Sequence, residues 1–242
     1  MNLKTENKPN NPTTTSVPWT MMVRFFVLIA FMLVVLFLSA GSLDWWEGWA
    51  YTVMTLVTII GGRTLMIRKN PDMAVERAEA GHRENVKGWD KILMPITAIY
   101  GPLVSWIIVG LDFRFGWSPD LPDSIQIAAL VVIFLGNQLG NWAMIVNRFF
   151  SSHVRIQTDR GHQVISEGPY RFVRHPGYAG GVIAWIAGPV FFSSYWAVIP
   201  SLVVIILMVL RTSKEDRTLM AELPGYRAYA QRVPYRLIPG IW

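Results

Sequence analysis

Apolar runs as long as a bilayer is thick constrain this chain more than any other feature of its sequence. A membrane-spanning helix needs about 20 mostly apolar residues. Four runs of that length occupy residues 21–40, 48–67, 92–111 and 124–146. Two shorter runs, 178–192 and 195–210, are separated by only two serines, which predicts a short helical hairpin that either spans the membrane or dips in and returns. We therefore predict an all-α integral membrane protein with about six membrane segments.

The charges of the chain fit this interpretation. Charged residues make up 16% of the sequence, against about 25% in soluble domains. The net charge of +6 is compatible with nucleic-acid binding. However, every Lys and Arg except Arg114 lies in residues 1–24, 63–91, 148–174 or 211–236, which alternate along the chain with acidic loops. Because basic loops stay in the cytoplasm, both termini are predicted to be cytoplasmic, with the bacterial inner membrane as the expected location and no nucleic-acid partner.

Polar positions outside the apolar runs leave several alternatives open. Residues 1–20 are predicted to be a disordered polar N-terminus. The loop 63–91 has charges at helical spacing, which favours an amphipathic helix on the membrane surface over a lid above a site. Asn137, Gln138, Asn141 and Asn147 lie in or just after the fourth segment. Such amides usually make hydrogen bonds between helices, and the alternative is a polar cavity.

The segment 153–178 contains three of the four histidines of the chain. Gly161 and Gly168 mark turns, and Pro176 is suited to the first position of a helix that enters the hairpin. The free N–H groups at that helix start would attract a carboxylate or a phosphate. The alternative is that Arg171 and Arg174 only anchor the chain to lipid headgroups.

A second polar element follows the last apolar run. Arg211 and Glu215 are four residues apart and therefore share one helix face, either as a simple ion pair or as a functional pair at the mouth of the hairpin. The chain has no Cys, and its histidines do not have the spacing of a zinc site. We therefore predict no metal. A serine nucleophile with its His and acid is not evident either.

These residues resemble a known family. The stretch Gly168-Pro-Tyr-Arg-Phe-Val-Arg-His-Pro-Gly-Tyr178, the later Arg211-x-x-x-Glu215-Asp216 and the ending Val-Pro-Tyr-Arg-Leu-Ile-Pro are similar to the isoprenylcysteine carboxyl methyltransferase family, a relative of the phospholipid N-methyltransferases. The resemblance covers residues from about 147 to the C-terminus. The apolar runs predict four transmembrane helices over 21–146, with the cytoplasmic loop 63–91, and the resemblance implies a methyltransferase-like region over 147–242 that contains the hairpin 178–210.

The resemblance implies S-adenosylmethionine (AdoMet) as the methyl donor, bound at the cytoplasmic face. Arg211 and Glu215 are implied as the catalytic residues, with Arg211 positioning the substrate. Asp216 departs from the two glutamates of the eukaryotic enzymes, but only the first acid is implied as a cofactor ligand. The implied cofactor-binding residues are Gln157, His162, Gln163, Val164, Ile165, Tyr170, His175, Pro176, Gly177, Tyr178 and Glu215.

The residue types suit methyl transfer, because the donor is already activated and the protein mainly has to align two reactants. A carboxylate acceptor is ionised at neutral pH and needs no general base, and Arg211 would orient it. An amine acceptor would need a base such as His175 or Glu215. The expected partners are membrane lipids and a lipophilic or small acceptor, with an isoprenylcysteine-like carboxylate favoured. An NADPH-dependent sterol or isoprenoid reductase and a non-enzymatic transporter are the alternatives.

Overall fold

The computed structural model describes residues 19–79 and 85–242, and these residues form helices and loops without a β-strand. Most of the predicted N-terminal tail, 1–20, and part of the loop 63–91 lie outside them. The helices of the described residues are α1 (Trp19–Ala40), α2 (Trp46–Lys69), α3 (Asp72–Glu79), α4 (Asp90–Pro95), α5 (Gly101–Phe115), α6 (Asp123–Val146), α7 (Pro176–Phe191), α8 (Val198–Glu222) and α9 (Tyr226–Arg232).

The four long apolar runs lie within helices, and the two hairpin runs form α7 and α8 except for Phe192 and residues 195–197. Three helical stretches are long and apolar enough to cross a membrane: Trp46–Lys69, Asp90–Phe115 and Asp123–Val146. Large apolar side chains such as Leu38, Val57 and Ile186 point outward and are at least 60% exposed. Such a surface fits a lipid environment. The described residues are therefore all-helical, as predicted, and they are consistent with an integral membrane protein, whereas the number of six crossings stays a prediction.

A π-helical turn joins α4 to α5. Pro95 has no backbone N–H to donate, and the next five residues, Ile96–Tyr100, form the wider turn. The Thr97 hydroxyl donates to the carbonyl oxygens of Leu93 and Met94, at 2.8 and 3.2 Å. The turn leaves one side of this helix beside the cavity described below.

Glycines allow the hairpin to pack closely on α6. A Cβ atom on Gly180 of α7 would lie 2.2 Å from the carbonyl oxygen of Gly136, and one on Gly136 would lie 2.6 Å from that of Gly180. This contact is an example of the small-residue packing of membrane helices. The α7 helix is continuous through Pro189, and α8 extends past the predicted segment end at 210 to Glu222. The part of α8 beyond 210 positions polar side chains above the apolar hairpin.

The loops meet in two groups at opposite ends of the helices. At one end, Lys87 pairs with Glu222 and Arg155 pairs with Glu76. At the other end, the Asp112 carboxylate accepts hydrogen bonds from Ser118 and Ser194. The basic loops of the sequence thus share one end, as an alternating topology requires. The assignment of that end to the cytoplasm stays a prediction.

Candidate active site

The turn before α7 is held by tyrosines of neighbouring elements. Gly168 has a φ of 55°, which favours glycine, and a short 3₁₀ turn, Gly168–Arg171, follows. The Tyr170 hydroxyl accepts a hydrogen bond from the Asn147 amide at 3.1 Å, and the Tyr229 hydroxyl donates to the Tyr170 carbonyl at 2.7 Å. Burial raises the pKa of Tyr170 above its usual value. Tyr170 is therefore a neutral, buried part of the site.

The Asp216 carboxylate joins three parts of the site. It is 1% exposed and forms a bidentate pair with Arg174, at 2.8 and 3.0 Å. Arg236 donates to it at 2.8 Å, Tyr226 donates at 2.9 Å, and Nε2 of His175 lies 3.2 Å away. Burial opposes ionisation, yet the hydrogen bonds from His175, Arg174 and Arg236 hold the pKa of Asp216 well below its usual value. Arg174 is therefore a buried structural residue rather than a headgroup anchor.

The C-terminal segment packs along the same turn. The backbone N–H groups of Arg174 and His175 donate to the carbonyl oxygens of Tyr235 and Arg236, both at 2.9 Å. Together with the pairs to Asp216, these bonds fix the direction of the turn that begins α7. The His175 ring is thereby placed against α8.

Arg211 is held by an acid that sequence reasoning missed. Its Nε and Nη2 atoms donate to Asp90 at 2.6 and 3.1 Å, and Nη2 also donates to the Ser152 carbonyl at 2.7 Å. Asp90 is fully buried and also accepts from the Val154 N–H. The predicted ion pair between Arg211 and Glu215 does not form at salt-bridge distance in the described structure. Arg211 is instead paired with an acid 121 positions away, and its side chain lines the cavity described below.

Glu215 faces Tyr178 from one helical turn along α8. The Tyr178 hydroxyl donates to Oε2 of Glu215 at 2.7 Å, and the guanidinium of Arg211 lies 5.5 Å from the centre of the Tyr178 ring. These three side chains therefore form one polar wall between α7 and α8. The backbone N–H groups of Gly177 and Tyr178 have no acceptor within their own helix, as at any helix start.

This wall borders a cavity of about 740 Å³. Its volume falls in the range of about 300–1,000 Å³ that is usual for small-molecule sites. Apolar residues of α2 and of the π-helical turn form another wall, and they include Ile59, Ile60 and Ile99. The cavity thus draws on both of the predicted regions, 21–146 and 147–242. The predicted site residues that line it are His162, Gln163, Val164, Ile165, Tyr170, His175, Gly177, Tyr178, Arg211 and Glu215.

Gln157 and Pro176 do not line the cavity. The Gln157 amide donates to the Phe149 carbonyl at 2.7 Å and accepts a hydrogen bond from Arg160, so its polar atoms are already used. The Gln157 backbone N–H donates to Nδ1 of His162 at 3.3 Å. Gln157 thus positions the loop that presents His162. Pro176 is buried at the first position of α7.

The His162 ring is set up to donate through Nε2. Burial lowers its pKa to about 4, and the charges of Arg155 and Arg160 add to this effect. The ring is therefore neutral at physiological pH. Because Nδ1 accepts the Gln157 N–H, we assign the proton to Nε2. The ring also packs on Phe149, with 4.7 Å between ring centres.

The amides of the fourth segment divide between the two predicted roles. The Asn141 amide donates to the Thr58 carbonyl at 3.1 Å, and that of Asn137 approaches the sulfur of Met54 at 3.8 Å, so both connect α6 to α2. Asn147 instead lines the cavity. In the part of the chain that the structure describes, no group of three or more His, Cys, Asp or Glu is placed to hold a metal ion.

The model of the isoprenylcysteine carboxyl methyltransferase (ICMT) family matches residues 128–221. This part of the chain is therefore similar to the ICMT family. It contains every site residue predicted from the sequence, from Gln157 to Glu215. By contrast, Asp90, Tyr226 and Arg236 lie outside the ICMT-matched residues although they hold the site together.

Two plant relatives agree with this ICMT assignment. The chain is 33% identical over 73 residues to the probable protein-S-isoprenylcysteine O-methyltransferase of Oryza sativa, which is 29% of this chain and 38% of the relative. It is 30% identical over 108 residues to the protein-S-isoprenylcysteine O-methyltransferase B of Arabidopsis thaliana, which is 43% of this chain and 55% of the relative. The chain thus spans about 38 to 55% of the length of these relatives.

Proposed function

We propose that this protein is an AdoMet-dependent membrane methyltransferase that acts on a lipophilic acceptor, with the carboxylate of an isoprenylcysteine-like molecule favoured. The observation that carries the proposal is that one cavity joins a polar wall to an apolar wall. The ICMT-matched region supplies its polar wall, and the helices α1, α2 and α4 with the π-helical turn supply its apolar side. An acceptor with an apolar chain and a polar reacting end fits these two walls. The cytoplasmic position of the site and of both termini belongs to the same proposal.

The residues present fit AdoMet by their chemistry. Glu215 supplies an acceptor for its ammonium group, and the free N–H groups of Gly177 and Tyr178 suit its carboxylate. Phe150 packs so close to Gly177 that a Cβ atom there would lie 2.9 Å from its ring. A side chain at 177 would therefore narrow the approach to the helix start. When bound, AdoMet supplies an electrophilic methyl group.

Arg211 would orient the acceptor carboxylate. Asp90 and Ser152 hold its Nε and Nη2 atoms, so the Nη1 edge is presented in a fixed direction. Alignment of this kind can contribute several kcal/mol to a two-reactant step, roughly 7 in favourable cases. Because the carboxylate is already ionised at neutral pH, no side chain has to remove a proton. The ICMT match favours this chemistry over the reductase and the transporter.

The cofactor arm of the test is calorimetric titration of the full chain in detergent with AdoMet. We expect Glu215→Gln and His175→Ala to weaken AdoMet binding at least tenfold, because one removes an acceptor and the other disturbs the turn before α7. Glu222→Gln is the matched control, since Glu222 pairs with Lys87 at the surface. Unchanged binding in both site variants would contradict the site, and tight NADPH binding without AdoMet binding would favour the reductase.

The acceptor arm uses labelled AdoMet with S-farnesyl-N-acetylcysteine and with its methyl ester. We expect the labelled methyl group to be transferred only to the free acid. The product is then a methyl ester, which releases labelled methanol when it is treated with base. Arg211→Lys should raise KM for the acid more than it changes AdoMet affinity, because Lys cannot reproduce the guanidinium geometry. Labelling of an amine lipid in place of the acid would move the proposal to an N-methyltransferase.

A further inference from the structure

Two arginines other than Arg211, on α2 and α3, also line the cavity. They are Arg63 on α2 and Arg77 on α3. Nη1 of Arg77 donates to the Phe150 carbonyl at 3.3 Å, and its guanidinium lies 5.6 Å from the Phe150 ring centre. Its Nε atom is buried and has no hydrogen-bond partner. Among the described side chains, no carboxylate pairs with Arg77.

An arginine in such a place is costly without an anion. Leaving a buried N–H unsatisfied costs about 1–3 kcal/mol, and a second positive charge nearby adds to the cost. Burial lowers the pKa of Arg77 to about 9, with the charge of Arg63 adding to the effect, so Arg77 is still charged at neutral pH. An oxyanion near both guanidinium groups would relieve these costs.

Neighbouring α3 side chains are paired, which makes Arg77 an exception on its helix. Glu76 pairs with the buried Arg155 at 2.6 Å, and Asp72 pairs with Arg148 and Arg160. Asp72 and Glu76 are thus engaged by residues of the loop 148–160 rather than by Arg77. The position of α3 is fixed by these pairs, so Arg77 stays in the cavity.

The surroundings of the two arginines are apolar. Ile59, Ile60 and Ile67 precede or follow Arg63 by one helical turn on α2, and they line the same cavity. Phe150, which packs against Gly177 on one side, contacts Arg77 on the other. A ligand that satisfied Arg77 would therefore need an anionic end and a hydrocarbon part. Arg63 and Arg77 also lie outside the residues matched by the family model.

We propose that Arg63 and Arg77 bind the oxyanion headgroup, a carboxylate or a phosphate, of an amphiphile whose hydrocarbon chain lies along the apolar wall of α2. The site is distinct from Arg211, which would hold the reacting carboxylate. Two sources share this chemistry: an acidic phospholipid of the bilayer, and a single-chain amphiphile that enters the cavity as part of the acceptor.

The test is calorimetric titration of the full chain, in a non-ionic detergent and without AdoMet. The probes are dodecyl phosphate, laurate, dihexanoyl phosphatidate, inorganic phosphate and uncharged dodecanol. We expect at least one anionic amphiphile to bind tenfold or more tightly than dodecanol and than inorganic phosphate. Tighter binding of a single-chain probe indicates the acceptor-like source, and tighter binding of phosphatidate indicates the bilayer lipid. Equal binding of dodecanol and the anionic probes overturns the proposal.

Variants assign the binding to the two arginines. Arg77→Gln and Arg63→Gln should each lower the binding affinity for the anionic probe tenfold or more. Arg77→Lys should retain part of that affinity. Arg217→Gln, at an exposed position of α8 that does not line the cavity, should bind like the unchanged protein. Retained affinity in both glutamine variants overturns the assignment, and Arg63→Gln decides the test if Arg77→Gln does not fold.

A parallel AdoMet titration separates this site from the proposed function. We expect Arg77→Gln to change AdoMet affinity less than twofold. A tenfold loss would instead mean that Arg77 binds the carboxylate of the cofactor, and it would overturn the amphiphile site. A chain that binds no AdoMet at all would contradict the methyltransferase proposal, while the amphiphile titration could still be read independently.

Discussion

Replacing Asp216 by Asn should destabilise the protein more than any surface charge change. The carboxylate is 1% exposed and accepts hydrogen bonds from Arg174, Arg236 and Tyr226. Asn keeps the size of the side chain but removes the negative charge, so two guanidinium groups lose their counterion. Removing one partner of a buried pair costs about 3–5 kcal/mol. Because Arg174 is itself buried, we expect the upper part of this range.

The measurement is the melting temperature of the full chain in detergent, with AdoMet affinity measured in parallel. Glu222→Gln is the matched control because its pair with Lys87 is partly exposed, at 45 and 29%. A pair of that kind contributes about 0–1 kcal/mol. We expect the melting temperature to fall several-fold further for Asp216→Asn than for Glu222→Gln. AdoMet affinity should also fall, since Asp216 fixes the turn that carries His175.

The stability that Asp216 contributes should depend on pH in a definite direction. The folded protein holds the pKa of Asp216 below the ordinary carboxyl value of about 3.9. The stability that Asp216 contributes is therefore complete above that ordinary value and is lost as pH falls below it. The difference in melting temperature between the unchanged protein and Asp216→Asn should be constant from about pH 5 to 8 and shrink below about pH 4. Equal shifts for Asp216→Asn and Glu222→Gln at pH 7 would refute the structural role of Asp216.

Three further predictions concern packing, protonation and the positioning of the loop. Gly180→Ala should destabilise the protein by about 1–3 kcal/mol, because the new Cβ meets a backbone carbonyl of α6. Gly188→Ala is the control, because Gly188 has open space around it. Equal melting temperatures of the two variants would contradict the close contact. The pKa of His162 is lowered to about 4, so its contribution to stability should be lost as pH falls from about 6.5 to 4. A melting curve that falls equally in His162→Gln over that range would argue against this. Gln157→Ala should raise KM for AdoMet more than it lowers kcat. The control is Thr158→Ala, at an exposed position, which should change neither value. Unchanged kinetics in Gln157→Ala would show that the loop holds its shape without the amide.

The helices and the residues of the polar wall could be predicted from the sequence because their signals are local. A run such as 124–146 reveals a membrane helix by its length and composition alone, and it becomes α6. Likewise, Pro176 predicts a helix start, and Arg211 and Glu215 share a face by their spacing. These properties depend on residues within one or two turns of each other. The family resemblance added the expectation that the separate motifs act together.

Side-chain pairing was decided by the tertiary structure. The sequence places Arg211 and Glu215 on one helix face and leaves an ion pair between them open, but Arg211 pairs with Asp90 because the start of α4 packs against α8. Asp216 resembles an ordinary acid next to Glu215, yet packing of the C-terminal segment makes it the centre of the site. Gln157 was predicted to bind the cofactor, and it instead uses its amide within its own loop.

The sequence alone therefore predicts the properties that are encoded locally, which are the helices, the membrane character, the basic end and the motif residues. Only the tertiary structure decided which acid neutralises which arginine and which arginine, Arg77, keeps a buried Nε without a partner. The physical reason is that the energy of a buried charge depends on what surrounds it within a few ångströms. Those surroundings come from segments that are distant in the sequence, such as Asp90 and Arg211, which are 121 positions apart.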